Sequence, residues 1–379
     1  VVDAMRRHGG NKKVQECGCG ALNNMCCVNI ENTRFAGRSG AIQAVVDAMK
    51  RHGRNEEVQK CGCGALMSMC CNDAENRRLA GRHGAIQAAV DAMKRHGENE
   101  YVQEHGCLAL LSMCRDDENI RLAGRRGAIK AVVDAMKRHG GNGKVQENGC
   151  WVLMSMCYGN AENERLAGRS GEIEAVVDAM RRHGGNKKVQ ENGCWALNNM
   201  CSVNAENKRL AGRRDAIEPV VDAMKRHGGN DKVQEYGCRA LRNMCCDDDE
   251  NRRLAGRSGA IEAVLDAMKR HGGNEKVQDY GCGALMNMCC DAENRRVAGR
   301  CGAIEAVVDA MRRHGGNEKV QEEGYWALNN MCYDDAENRR LAERHSAAIQ
   351  AVADAMTRHG GNENVQEYGY GNFVASWLC

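Results

Sequence analysis

Proline is almost missing from this chain of 379 residues, which has one proline and only two phenylalanines. A single proline argues against a loop-rich sandwich and against proline-rich linkers. Neither sign of charge dominates: 54 Lys and Arg against 51 Asp and Glu leave a net charge of +3, which disfavours nucleic acid as a partner. No apolar run approaches the ~18–20 residues of a membrane span, and no basic-then-apolar leader is visible. We therefore expect a soluble chain without a signal peptide.

Internal repetition is what the sequence has in abundance. The pair Val-Gln recurs nine times at spacings of 43 to 45 residues, with its valine at Val14, Val58, Val102, Val145, Val189, Val233, Val277, Val320 and Val365. A fixed period of this length is typical of solenoid and repeat architectures. We therefore predict one continuous repeat array over residues 1–370, followed by a divergent tail or cap at 371–379.

Each repeat predicts three helices. Ile42, Val45, Val46 and Met49 recur at the 3–4-residue spacing of an amphipathic helix, which closes with basic residues and a glycine at Gly53. A longer helix starts near Asn55 and buries one side, and a short helix covers residues 75–80 with Asp73 as its N-cap.

These segments resemble the armadillo repeat. The resemblance is carried by Val-Gln-Glu…Trp-Ala-Leu-Asn-Asn, by Glu-Asn-x-Arg-Leu and by Gly-Ala-Ile-Glu-Ala-Val-Val-Asp-Ala-Met, and it covers almost the whole chain. It implies an all-α, right-handed superhelical solenoid of about nine three-helix repeats with a period of about 44 residues. The tail after residue 370 leaves the pattern, and we expect it to shield the last apolar surface.

One glycine recurs four residues after the marker valine, in the middle of each third helix, from Gly18 to Gly369. A glycine in a helix costs about 0.5–1 kcal/mol relative to alanine, so nine copies need a compensation. Close approach of neighbouring helices is the favoured explanation, and a chain of hinges is the alternative.

The copies differ most at four third-helix positions, which are 3, 6, 10 and 13 residues after the marker valine and form one stripe opposite the buried side. In armadillo-like folds the third helices line a concave groove, so the resemblance implies that this stripe meets a ligand. Aromatic and amide groups suit an extended peptide. The predicted groove residues are Trp151, Trp195, Trp326, Asn24, Asn199, Asn243, Asn287, Asn330, Tyr158, Tyr236, Tyr280, Tyr333, His105 and Arg239.

In importin-α-like armadillo proteins a Trp and an Asn one turn later hold an extended basic peptide. Trp195 with Asn199 and Trp326 with Asn330 match that pair. The acidic lining of that family is missing apart from Glu323, which disfavours a nuclear transport adaptor. A strongly basic, catenin-like groove is also missing.

Cysteine and histidine tempt a metal or catalytic interpretation, but their spacing argues against both. Pairs such as Cys63 and Cys70 are two helical turns apart, about 10.5 Å, which is too far to share a zinc ion. We interpret them as reduced core residues, and we expect the groove cysteines Cys27, Cys71, Cys246 and Cys290 to react with a thiol probe. Nine of the twelve histidines belong to a repeated Arg-His-Gly at a helix C-terminus, where a cation is favoured. We predict no metal, no cofactor and no enzyme activity.

The leading hypothesis is a non-catalytic scaffold whose groove holds an extended segment of a partner protein. The alternative is a structural accessory subunit built permanently into a large assembly. The 23 cysteines have no loop framework, which favours a reducing intracellular compartment, most simply the cytoplasm.

Overall fold

The structure, a computed structural model, describes residues 1–344, 354 and 357–359. All regular structure in that part of the chain is helical, which confirms the predicted all-α repeat fold. The last marker Val365, the glycine Gly369 and the tail 371–379 lie outside the described residues. No helix in the described part is long and apolar enough to cross a bilayer.

The chain divides into two compact units, Val1–Met200 and Cys201–Cys379. The helices of the first are α1 (Val2–Arg7), α2 (Lys12–Cys27), α3 (Ile30–Arg38), α4 (Ala41–Arg51), α5 (Glu56–Cys71), α6 (Ala74–Arg82), α7 (Ala85–Arg95), α8 (Glu100–Met113), α9 (Asp117–Arg125), α10 (Ala128–Arg138), α11 (Gly143–Cys157), α12 (Ala161–Ser170), α13 (Glu172–Arg182) and α14 (Lys187–Met200). The described helices of the second are α15 (Ala205–Arg213), α16 (Ile217–Arg226), α17 (Asp231–Cys245), α18 (Asp249–Arg257), α19 (Ala260–Arg270), α20 (Glu275–Met288), α21 (Ala292–Arg300), α22 (Ala303–Arg313), α23 (Glu318–Cys332) and α24 (Ala336–Arg344). Each repeat has three helices. The first helices are α3, α6, α9, α12, α15, α18, α21 and α24. The second helix of a repeat directly follows the first, and the third directly follows the second.

The Val-Gln marker holds the second and third helices together. The helix α5 starts near Asn55, as predicted, and Asn55 caps it by accepting the N–H of Val58 at 2.9 Å. The Gln59 side chain donates back to the carbonyls of Met49 at 3.0 Å and His52 at 3.1 Å. Those carbonyls belong to the end of α4, where a helix leaves its last acceptors unpaired. The buried glutamine therefore completes the preceding helix, while the valine beside it fills the core.

Six first-helix asparagines each join one repeat to the next. Asp73 caps α6 as predicted, by accepting the N–H of Asn76 at 2.9 Å. The Asn76 amide donates to the carbonyls of Met69 in α5 and of Thr33 in α3, both at 2.9 Å and both in the preceding repeat. A Cβ atom at Gly37 would overlap the Asn76 side chain, so the glycine makes room for this bond. The same pairing recurs at Asn119 with Gly81, Asn163 with Gly124, Asn251 with Gly212, Asn294 with Gly256, and Asn338 with Gly299.

The repeated histidine is also a joint between repeats. Nε2 of His96 lies 2.8 Å from the carbonyl oxygen of Gly53 in the preceding repeat. A carbonyl can only accept, so this nitrogen donates the proton. His96 is buried at 8% exposure, and its Nδ1 lies 3.8 Å from Oε1 of Glu56. The sequence explained this residue by the helix terminus alone, whereas the structure adds a hydrogen bond between neighbouring repeats.

The recurrent mid-helix glycine is explained by close packing, as predicted. A Cβ atom at Gly106 in α8 would lie 2.5 Å from Cγ and 2.8 Å from Sδ of Met93 in α7. The same contact recurs at Gly18, Gly62, Gly149, Gly193, Gly237, Gly281 and Gly324, each against the methionine of its second helix. Only glycine allows the methionine to lie directly on the third-helix backbone, so these positions belong to the core.

Candidate binding face

The third helices pack side by side within each unit: α2, α5, α8, α11 and α14 in the first, and α17, α20 and α23 in the second. Their side chains 3, 6, 10 and 13 residues after the marker valine form what we call the third-helix face. Most of the predicted groove residues in the described part are half-buried or exposed there. By contrast, the marker valines from Val58 to Val320 and the leucines two turns after each marker are buried. The helical periodicity thus separates this face from the core.

In residues 1–200 the exposed aromatic residues of the face lie on α11. Trp151 is 36% exposed, and Tyr158, at the C-terminal end of the same helix, is 61% exposed. Trp195 on the neighbouring α14 is half-buried. The His105 ring is half-buried and its Nδ1 bonds the carbonyl of Tyr101 at 2.8 Å, one turn back in α8. Apolar area at Trp151 and Tyr158 is therefore open to a partner.

In residues 201–344 the tyrosines of the face are in contact with cations. The guanidinium of Arg239 lies 5.1 Å from the ring centroid of Tyr280, and that of Arg295 lies 5.8 Å from Tyr333, which is 69% exposed. Trp326 is half-buried. Such cation–π contacts leave one ring face covered. Tyr236 is only 6% exposed and has little surface to offer a ligand.

Several of the predicted asparagines already bond the protein itself. The amides of Asn199, Asn287 and Asn330 each donate at 2.9 Å to a backbone carbonyl of the preceding third helix, those of Met154, Arg242 and Met286. Asn24 is exposed, and Asn243 is half-buried. These amides therefore tie adjacent third helices together whatever else they bind, and that second role was not foreseen from the sequence.

An ion pair on the face of residues 201–344 was also missed. Arg242 in α17 pairs with Glu323 in α23, across the intervening α20. A Cβ atom at Gly283 in α20 would lie 2.8 Å from Cδ of Arg242 and 2.9 Å from Oε2 of Glu323. The glycine at position 283 is the feature of the sequence that could have indicated this pair, because only a residue without a side chain leaves room for Arg242 and Glu323 to meet across α20.

Burial perturbs the acids of this cluster. It raises the pKa of Glu323 to about 7, against the opposing effect of the Arg242 guanidinium, and the charge of Asp279 raises it further. Burial also raises the pKa of Asp279 above its ordinary value. Asp279 therefore adds a second acid beside Glu323, and both carboxylates are close to arginine side chains.

The cysteines divide into core and face. Those spaced seven apart on the third helices are buried, and burial raises the pKa of Cys63 and of Cys107 to about 12. Cys27 and Cys290 on the face are exposed, while Cys71 and Cys246 are partly so. No group of three or more His, Cys, Asp or Glu residues within the described residues could hold a metal ion.

Comparisons with known proteins agree with this geometry. Residues 1–171 match the family model described as LRRK2 ARM repeat. An engineered protein known from a crystal structure matches 95% of this chain and 94% of its own, at 17% identity and a TM-score of 0.65. A second engineered protein matches 65% of this chain and 98% of its own, at 24% identity and a TM-score of 0.57. No curated protein matches the sequence.

A further solved chain comes from work on a conserved phosphorylation switch that controls the interaction between cadherin and beta-catenin. It matches 95% of this chain and 69% of its own, at 16% identity and a TM-score of 0.74. Together with the family match over residues 1–171, these likenesses show that the chain has an armadillo-like repeat fold. Folds of this class are typically non-catalytic and commonly serve as protein-binding scaffolds.

Proposed function

We propose that this chain is a non-catalytic protein-binding scaffold, and that the third-helix face of residues 1–200 holds an extended segment of a partner protein. The observation that carries the proposal is the exposure of Trp151 and Tyr158 on one helix, 36% and 61%, in a chain whose other large apolar residues are mostly buried. Aromatic side chains offer much contact area for little loss of conformational freedom, and they dominate many protein interfaces.

The polar neighbours of these rings suit a peptide main chain. Ser155 is half-exposed on the same helix as Trp151, and Trp195 is half-buried on the next third helix, while Asn24 is exposed further along the same face, on α2. Amide and hydroxyl groups can pair with the donors and acceptors that an extended peptide leaves unpaired. The proposal includes a reducing intracellular compartment, because the buried cysteines in the described part are all free thiols.

The test starts from the complexes of this chain in its own cells. The protein that co-purifies is identified, made separately and titrated against the purified full chain. Trp151→Ala and Tyr158→Ala are each expected to weaken binding about 10-fold or more, as truncation of a central aromatic residue usually does. Phe35→Ala is the matched control, because Phe35 is 71% exposed but lies on a first helix.

Unchanged affinity for the partner in both Trp151→Ala and Tyr158→Ala would contradict the groove proposal. A specific observation supports a different surface in that case: Val28 is 92% and Phe35 is 71% exposed near the α2–α3 connection. Loss of the partner in Phe35→Ala alone, within a stoichiometric complex that does not exchange, indicates a structural subunit held by its outer surface.

A further inference from the structure

The ion pair between Arg242 and Glu323 connects helices that are two repeats apart. In a solenoid each repeat ordinarily contacts only its immediate neighbours, so stability is close to a sum of nearest-neighbour terms. Here α17 and α23 are joined directly across α20, at the place where Gly283 has no side chain. This contact makes three successive third helices one polar unit.

Two acids of this unit, the buried Asp279 and the half-buried Glu323, each have one buried oxygen without a hydrogen bond. Asp279 is 7% exposed, and its Oδ1 has no hydrogen-bond partner among the described residues. The Glu323 side chain is 13% exposed, and its Oε2 also has none there. A buried charged oxygen without a donor is costly, since water no longer solvates it. Protonation of either acid removes its negative charge and so removes its repulsion of the other carboxylate.

The charges around the pair come from all three third helices. They are Arg239 and Arg242 on α17, Asp279 itself with the thiol of Cys282 on α20, and Lys319 and Glu322 beside Glu323 on α23. The three cations balance Asp279, Glu322 and Glu323 only when all three acids are ionised. Uptake of one proton leaves the cluster with a surplus positive charge, but it removes a repulsion between two buried carboxylates.

We propose that Asp279 and Glu323 form a proton-operated switch that sets how firmly α17, α20 and α23 are held together. With both acids ionised, their mutual repulsion and their unsatisfied oxygens loosen the three helices. A proton taken from solvent by one acid relieves both costs, and the helices tighten.

The direction of the pH effect follows from burial. The pKa of Glu323 is raised from 4.5 to about 7 in the folded chain, so the folded state binds the proton more tightly than the unfolded state. Its contribution to stability is complete below the ordinary value and is lost as pH rises through about 7. A simple stabilising salt bridge predicts the reverse, because acid would then neutralise Glu323 and weaken the structure.

Hydrogen exchange of the full chain at pH 5.5, 6.5, 7.5 and 8.5, corrected for intrinsic exchange rates, tests the switch. The opening constant of peptides from α20 and α23 is expected to rise about 10-fold or more between pH 5.5 and 7.5, since linkage to one proton allows up to about 10-fold per pH unit in that interval. Glu323→Gln should remove this rise and should be better protected than wild type at pH 8.5. Asp279→Asn should move the transition to lower pH, because it removes the repelling charge.

Glu305→Gln on α22 is the control, because Glu305 is exposed on a second helix, and it should keep the wild-type profile. The proposal is overturned if wild-type protection falls on acidification, or if Glu323→Gln is less protected than wild type at pH 8.5. Should Glu323→Gln fail to fold, Asp279→Asn still decides, since an unmoved transition contradicts the pairing of the two acids.

Discussion

Two glycines of α2 lie two residues apart and face different surroundings, so they give a matched pair of substitutions. A Cβ atom at Gly18 would lie 2.5 Å from Cγ and 2.7 Å from Sδ of Met5, whereas a Cβ atom at Gly20 would have nothing within 4 Å. Alanine favours a helix over glycine by about 1 kcal/mol, and both positions are helical. Gly20→Ala should therefore stabilise α2 by about 0.5–1 kcal/mol.

Gly18→Ala gains the same helix propensity but loses more to crowding. Carbon atoms pack best at about 3.5–4.0 Å, and overpacking a core typically costs about 1–3 kcal/mol. Because Met5 is 2% exposed and its Cγ is close to the backbone, the side chain has little freedom to move away. We expect a net destabilisation of about 1–2 kcal/mol, so the two variants should differ by about 1.5–3 kcal/mol.

Native-state hydrogen exchange of the α2 amides measures this difference as a ratio of opening constants, expected to be about 10- to 150-fold at 1.4 kcal/mol per tenfold. Met5→Ala in the Gly18→Ala background provides the cross-check: the double variant should be more stable than the sum of the two single effects. If Gly18→Ala protects α2 as well as Gly20→Ala does, helix propensity outweighs the methionine contact, and close packing does not explain the recurrent glycine.

Three further predictions concern single positions. Glu172 is fully buried at the first position of α13, where α4, α7, α10, α19 and α22 have alanine. Burial raises the pKa of Glu172 to about 8. Its contribution to stability is therefore complete below about pH 4.5 and is lost as pH rises through about 8. Glu172→Ala should thus be about 2–5 kcal/mol more stable than wild type at pH 8.5 and nearly equal at pH 5, by urea unfolding; equal stability at both pH values would contradict this. Asp215 has a left-handed backbone, with φ of 50°, where other repeats have glycine, and Asp215→Gly should raise stability by about 0.5–1 kcal/mol in the same assay; a loss would show that the aspartate side chain matters more than the strain. Native alkylation followed by mass spectrometry should modify Cys27 and Cys290 at least 10-fold faster than the buried Cys63, and equal rates would mean that the core opens readily.

Local signals were enough to predict much of the fold. The start of α5 near Asn55, the cap at Asp73 and the close approach at the recurrent glycine depend on residues near one another in the chain or on a pattern copied along the repeats. Periodicity also indicated which side of the third helix is buried, and the exposure of Trp151 agrees with it.

Contacts between repeats could not be predicted in the same way. The Arg242–Glu323 pair joins residues 81 positions apart and depends on the gap at Gly283, so no local pattern indicates it. Tyr236 and Tyr280 have the same place in their repeats, yet Tyr236 is buried and Tyr280 half-buried, because the neighbouring helices differ. Likewise, the bonds of Asn287 and Asn330 to carbonyls of the preceding helix appear only when adjacent repeats are seen together.

At six joints a first-helix asparagine fits against a glycine of the preceding first helix, and this limits how the array can grow or shrink in evolution. Gain or loss of one whole repeat keeps these asparagines opposite glycines, whereas gain or loss of part of a repeat would place an asparagine against a Cβ atom. Seven first helices keep that glycine, but α24 has Glu343 in its place. A duplicated repeat placed after α24 would therefore need glycine in place of Glu343 before its asparagine could pack there. Duplication at this position thus requires a substitution that duplication at the other joints does not.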